Sequence, residues 1–155
     1  MRQWSGDHFD TFGREQRTDL LDAAGIGAVS PTDELASRKT IRLKDLADRR
    51  LIALPVGAGI RRQFDAACAR AGVTPRIAFE ASTPLALADL AERGLGVAIV
   101  PGSVSRNRDG LRALAIVPEL RGRLVLAWRS DGPMSPAARV LVGRARRLLR
   151  VGGGA

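Results

Sequence analysis

Leu51-Ile52-Ala53-Leu54, then Pro55-Val56-Gly57-Ala58-Gly59, then a helical pattern through Ala71: this stretch decides the fold. The same cycle repeats downstream. Arg76-Ile77-Ala78-Phe79-Glu80 leads to Ser82-Thr83-Pro84 and a helix as far as Arg93, and Gly94-Leu95-Gly96 turns into the apolar run Val97-Ala98-Ile99-Val100-Pro101. Short apolar strands alternating with helical segments predict an α/β fold, a Rossmann-like lobe with a parallel sheet and helices packed on it. Such sheets gather loops and helix N-termini at the carboxyl ends of their strands, where ligands bind. The order of the pieces therefore predicts a lobe that binds a small molecule.

Working outward, the first helix presents Ile60, Phe64, Ala67, Cys68 and Ala71 on one face, and Gly72 with Pro75 stops it. Ser82 or Thr83 is a natural N-cap for the second, with Pro84 in the first turn where its missing N–H costs nothing. Leu85, Leu87, Leu90 and Ala91 are expected on its buried side. Toward the N-terminus the pattern predicts a short helix from Arg14 to Ala23 ended by Gly25, then a strand over Ile26–Val29. Thr40–Leu43 leads into one helical turn at Lys44–Asp48. Beyond Pro101, a polar loop at Arg106–Gly110 precedes two strands, Leu111–Val117 and Leu124–Trp128, separated by Pro118–Gly122. Asp131-Gly132-Pro133 reads as a turn, and Ser135-Pro136 opens a last helix running to Arg150. The expected organisation is an N-terminal segment over 1–25, a binding lobe with its C-terminal helix over 26–150, and a disordered tail over 151–155.

Composition narrows the classes. An apolar content of 45% in 155 residues supports a core, and 4% aromatic residues with no tyrosine means that core is built from Leu, Val, Ile and Ala. No run approaches the roughly 18 apolar residues that span a bilayer, and the first residues lack the apolar stretch of a signal peptide, so the expected location is cytoplasmic. The single cysteine, Cys68, excludes a disulfide framework and a cysteine metal cluster. The net charge of +9 comes from a chain whose basic residues are all arginine except Lys39 and Lys44, and it concentrates between Arg121 and Arg150. Composition bias explains this surplus. A basic patch for nucleic acid is the competing explanation.

No catalytic set emerges. A hydrolytic triad needs a histidine beside a nucleophile, and the only histidine, His8, stands alone in a polar segment. Gly57-Ala58-Gly59 lacks the third glycine of a dinucleotide fingerprint and the lysine of a phosphate loop. Paired carboxylates for acid–base work would have to come from residues such as Asp65, Glu80 or Asp89, and two of these lie on helical patterns where a solvated charge is the ordinary state. No catalytic residue, metal ligand or cofactor is therefore expected. What remains is binding: helices that begin at Gly59 and Thr83 offer unpaired N–H groups and a positive dipole end, which favour an anion. Glycines at 57 and 59 allow close approach to the main chain, and the hydroxyls of Ser82 and Thr83 can donate to the same ligand. A capped helix and a tight turn without a ligand account for the same residues.

The ordered set resembles the effector-binding region of LysR-type transcriptional regulators. The carrying residues are Leu35-Ala36, Leu43-Lys44-Asp45-Leu46-Ala47-Asp48, Leu51-Ile52-Ala53-Leu54-Pro55, Gly57-Ala58-Gly59-Ile60-Arg61 and Phe64-Asp65. Pro75-Arg76-Ile77-Ala78-Phe79-Glu80-Ala81, Gly94 to Pro101, Leu126-Ala127-Trp128-Arg129 and Ser135 to Arg139 continue it. The resemblance implies a periplasmic-binding-protein-like (type II) fold of two lobes closing on a small-molecule effector, often an organic acid. It implies that this chain holds the second lobe and the returning C-terminal helix, and lacks the winged helix-turn-helix and most of the first lobe. Gly57, Ala58, Gly59, Ser82, Thr83 and Pro101 would then line the cleft. With no DNA-binding domain, no direct DNA contact is expected. The apolar stripe of the last helix, including Leu141 and Leu148, would be left to self-association. Two other readings remain: a non-functional truncated remnant, and nucleic-acid binding through the arginine-rich last helix.

Overall fold

In the computed structural model the structure describes residues 15–106, 108–129 and 133–150, with the side chains of 15–23, 123–129, 146 and 148–150 excepted. The expected tail at 151–155 and the His8 segment lie outside them. The chain divides into two compact units, one of Ala24–Gly122 and one formed by 1–23 with 123–155. In the larger unit the strands are β1 (Glu15–Val29, entering from the smaller unit), β2 (Thr40–Arg42), β3 (Leu51–Ala53), β4 (Ile77–Glu80), β5 (Val97–Pro101) and β6 (Arg112–Arg129, leaving to the smaller unit). Helices α1 (Gly59–Arg70) and α2 (Pro84–Glu92) connect β3 to β4 and β4 to β5.

The sheet order is β2-β6-β1-β5-β3-β4. The cycle read from Leu51 onward is parallel as expected: β3 pairs with β4 and with β5 in parallel register, Ala53 opposite Glu80 and Ile52 opposite Ala98. The whole sheet is mixed, because β1 joins β5 antiparallel, with Gly25 opposite Pro101 and Ala28 opposite Ala98.

Burial follows strand alternation. Leu51, Val97 and Ile99 pack with Phe64, Ala67 and Cys68 of α1, while Ile52, Ala98 and Val100 pack with Leu87, Ala88 and Ala91 of α2. Helices therefore cover both faces, which is why these strands read as continuous apolar runs rather than alternating ones. Two expected core positions differ. Leu85 is exposed while Ala88 is buried, because Ala88 and Ala91 stand with Leu87 on one side of α2 and Leu85, two residues before Leu87, points away from it. Ala71 is exposed as the C-cap of α1.

Two predicted boundaries are corrected. In the segment expected as a helix at Arg14–Ala23, the described residues, from Glu15 on, belong to β1, which runs unbroken through Gly25. Gly25 is not a helix stop but a packing position: a Cβ there would lie 2.9 Å from Cβ of Leu120. The two strands expected on either side of Pro118–Gly122 are one strand, β6. Val117 is opposite Arg42, the last residue of β2, so Pro118 falls where its missing N–H breaks no bond to that neighbour.

In the smaller unit the last helix is α3 (Pro136–Arg150), starting where Ser135-Pro136 predicts, with the Ala138 N–H donating to Ser135 Oγ at 3.2 Å. Val140 and Leu141 are exposed on it.

Cys68 illustrates how burial acts on chemistry. Its thiol is buried, and desolvation, helped by the nearby Asp65 charge, pushes its pKa from 9.0 up to about 11. The folded state thus favours the protonated thiol. That contribution to stability is complete below about pH 9 and fades as pH rises toward 11. Urea unfolding of the native chain and Cys68→Ala, compared at pH 7.5 and at about pH 10.5, is expected to show the native chain losing more stability than the variant.

Candidate ligand site at the carboxyl edge of the sheet

Three parallel strands, β3, β4 and β5, end at one edge, and the chain leaves each through a different device. After β3, Pro55–Ala58 forms a tight turn: the Ala58 N–H donates to Pro55 O at 3.1 Å, with Gly57 at φ +94°. A positive φ at the third residue is what a type II turn demands. The turn delivers the chain to α1, whose N-cap is Ala58. Alanine has no oxygen to offer, so no side chain caps the first turn, and the helix has no acidic residue there. The first intrahelical bond from the cap is Arg62 N–H to Ala58 O at 2.9 Å. The N–H groups of the first turn are thus left to solvent or a ligand.

After β4 the chain passes through Ser82 to Thr83, the N-cap of α2, whose Oγ1 accepts the Ala86 N–H at 3.2 Å. Pro84 occupies the first helical position. Pro101, the last residue of β5, is half-buried and caps a short 3-10 turn over Gly102–Val104.

Register brings these exits level. Leu51 is opposite Val97 and Ile52 opposite Ala98, so β3 and β5 run side by side toward this edge. The Ala81 N–H donates to Ala53 O at 3.3 Å, tying the exit of β4 to β3. In space the order is β5-β3-β4, and in sequence β3-β4-β5. The chain therefore moves from β3 to one side through α1, then back across β3 through α2. Between β3 and β5 the direction of winding reverses, and crevices at that reversal are where open α/β sheets bind ligands. Gly57, Ala58 and Gly59 follow the carboxyl end of β3, and Pro101 is the last residue of the neighbouring β5. Ser82 and Thr83 share the same edge but one strand further on, where α2 covers the opposite face from α1. A Cβ at Gly57 or Gly59 would meet nothing within 4 Å, so the main chain there is open to an approaching group.

The carboxylates considered for acid–base chemistry are engaged otherwise. Asp65 and Glu80 both accept from Arg61, and Asp89 accepts from Arg108 at 2.7 Å. Arg61 itself is 8% exposed. Desolvation opposes its charge, but hydrogen bonds to Glu80 and Asp65 outweigh that cost and raise its pKa above the ordinary arginine value. Arg108 is raised chiefly by its bond to Asp89, with Glu92 adding to it against a smaller desolvation cost. Among the described residues no group of three or more His, Cys, Asp or Glu is placed to hold a metal ion, and no helix is long and apolar enough to cross a membrane. Sequence reasoning passed over Arg61. Its signal was the spacing to Asp65, four residues on and hence on the same face of α1.

Residues 16–150 match the LysR substrate binding domain family. The chain belongs to this family. It is 30% identical over 110 residues to the HTH-type transcriptional regulator YybE of Bacillus subtilis, covering 70% of this chain and 38% of that protein. This LysR substrate-binding domain thus spans about two fifths of the length of that curated relative, which is named as a transcription regulator and not as an enzyme. Its fold is that of the QuiR effector binding domain in complex with shikimate, at a TM-score of 0.78 and 22% identity over 90% of this chain and 68% of that one. It is also that of the Synechocystis CcmR regulatory domain in complex with 2-PG, at 0.77 and 18%, over 87% of this chain and 67% of that one.

Proposed function

We propose that this chain is the effector-sensing part of a LysR-type transcriptional regulator, and that it recognises a small anionic metabolite at the carboxyl edge of β3, β4 and β5. The observation that carries this reading is the uncapped first turn of α1, delivered by the Pro55–Ala58 turn to the point where the sheet reverses its winding. Gly57, Ala58 and Gly59 supply main-chain donors and room, Pro101 closes the other side of the crevice, and Ser82 and Thr83 add hydroxyls along the same edge. Shikimate, a carboxylate, and 2-PG bound to proteins of the same fold support the choice of a carboxylic acid. We place the protein in the cytoplasm, with contact to DNA made elsewhere in the regulator and α3 available for self-association. Regulation would follow from the ligand's differential affinity for two conformations of the complete sensor.

Thermal unfolding of the purified chain, alone and with a panel of small carboxylic acids at millimolar concentration, tests the reading. One acid is expected to raise the transition, with its binding little affected by salt beyond ordinary screening. At a ligand concentration of 100 times Kd the gain is about 2.7 kcal/mol. A ligand-blind transition across the panel, shikimate included, counts against it. Binding to duplex DNA that falls steeply with salt would instead favour the arginine-rich helix as the active element.

A further inference from the structure

We infer that Arg61 is the positioning residue of this site, holding the loops after β3 and β4 at a fixed separation without itself contacting the ligand. The inference rests on the effector-sensing reading only for its link to binding. Its structural part stands on four hydrogen bonds. Nε donates to both carboxylate oxygens of Asp65 at 3.0 Å, and Nη1 donates to Leu54 O at 2.8 Å and to Glu80 Oε1 at 2.7 Å. Leu54 is the last residue before the Pro55–Ala58 turn, and Glu80 is the last residue of β4 before Ser82 and Thr83. One buried side chain in the first turn of α1 therefore joins the helix, the exit of β3 and the exit of β4.

A guanidinium suits this task because its donors are fixed in one plane, so satisfying several partners fixes their mutual geometry. The charge balance excludes the other role for a buried arginine at an anion site. Arg61 faces two carboxylates, Asp65 and Glu80, so its positive charge is already offset, and its side chain is 9% exposed against 38% and 46% for theirs. An arriving anion meets the main-chain N–H groups of α1 rather than this cation. The loop after β5 is outside the bridge, so Arg61 governs the spacing of Gly57–Gly59 to Ser82 and Thr83.

Glu80→Gln tests the inference, because the partly exposed side chain keeps its size, loses its charge and leaves the Arg61–Asp65 pair intact. Arg61→Lys is the companion variant, retaining charge but not the fork. Amide hydrogen exchange in the full chain is expected to quicken about tenfold in both 55–60 and 81–86, with 72–76 at the far edge unchanged. Unchanged exchange at 81–86, or equal acceleration everywhere, would overturn the bridge. If Arg61→Lys does not fold, Glu80→Gln alone decides. Titration with shikimate supplies a readout that a purely structural contact would not move: Glu80→Gln is expected to weaken binding about tenfold (about 1.4 kcal/mol) with little change in melting temperature. Loosened loops with unaltered affinity would sever Arg61 from ligand recognition. Should the unaltered chain not bind shikimate, that result tells against the effector reading, and hydrogen exchange still settles the bridge.

Discussion

Gly96→Ala is expected to destabilise the chain by about 4 kcal/mol, a large part of the total for an ordinary domain. Gly96 sits at φ +155°, and a Cβ added there would lie 2.3 Å from the carbonyl oxygen of Arg50. That carbonyl accepts the Val97 N–H at 2.9 Å, the bond that starts β5 beside β3. The methyl group can be accommodated only if the main chain moves, and the movement breaks this bond at the start of a strand whose first four residues are buried. The neighbouring obstacle is backbone rather than a side chain, so no rotamer change relieves it. Urea unfolding followed by far-UV circular dichroism measures the loss. Gly59→Ala is the matched control: its Cβ meets nothing within 4 Å, and a midpoint near that of the unaltered chain is expected. Equal midpoints for Gly96→Ala and Gly59→Ala would show that β3 and β5 do not approach as closely as the structure has them.

Gly59→Asp is expected to move stability and binding in opposite directions. A carboxylate at the first position of α1 complements the helix dipole and serves the uncapped N–H groups, adding about 0.5 kcal/mol or more to stability. The same carboxylate stands where we place the effector's anionic group. Two like charges about 4 Å apart repel by about 4 kcal/mol at an effective dielectric constant of 20, so affinity for an acid is expected to fall at least a hundredfold. Isothermal titration with the best acid of the panel, beside a melting curve, reads both quantities. A variant that is both more stable and still binds would move the ligand away from α1. One that loses both would mean that the substitution distorts the turn at Gly57.

The resemblance to LysR-type regulators and the cycle of strand, glycine turn and helix from Leu51 to Pro101 were readable because each step has a local cause. A strand buried on both faces is continuously apolar, a helix with one buried face repeats at three and four residues, and Thr83-Pro84 marks a helix start whatever lies around it. Gly57 and Gly59 were legible for the same reason, and the structure places all six residues singled out, Pro101 included, along one edge of the sheet. Their role as ligand contacts remains our proposal.

Local signals also failed in identifiable places. Leu20-Leu21 followed by Gly25 gives a reasonable helix pattern, yet the segment is strand, because the backbone of Gly25–Ala28 pairs with Ala98–Pro101, remote in sequence. The break expected at Pro118 depended on whether a neighbour needed its N–H, and that depends on where β2 stops. Asp65 and Asp89 read as solvated charges on helical patterns, and their carboxylates are indeed partly exposed, but nothing within a few residues of Glu80 or Asp89 announces the arginine that pairs with each of them.

The amino-acid sequence by itself determined the parallel β3-β4-β5 unit, the helices α1 and α2 with their starts, and the open main chain at Gly57–Gly59, since each follows from interactions within a few residues. Only the tertiary structure decided that β1 enters antiparallel and that Gly96 lies against Arg50. It alone decided that Arg61 joins Leu54, Asp65 and Glu80. These depend on register between distant strands, where the free energy of pairing and of burying a charged group with its partners overrides what any short segment prefers.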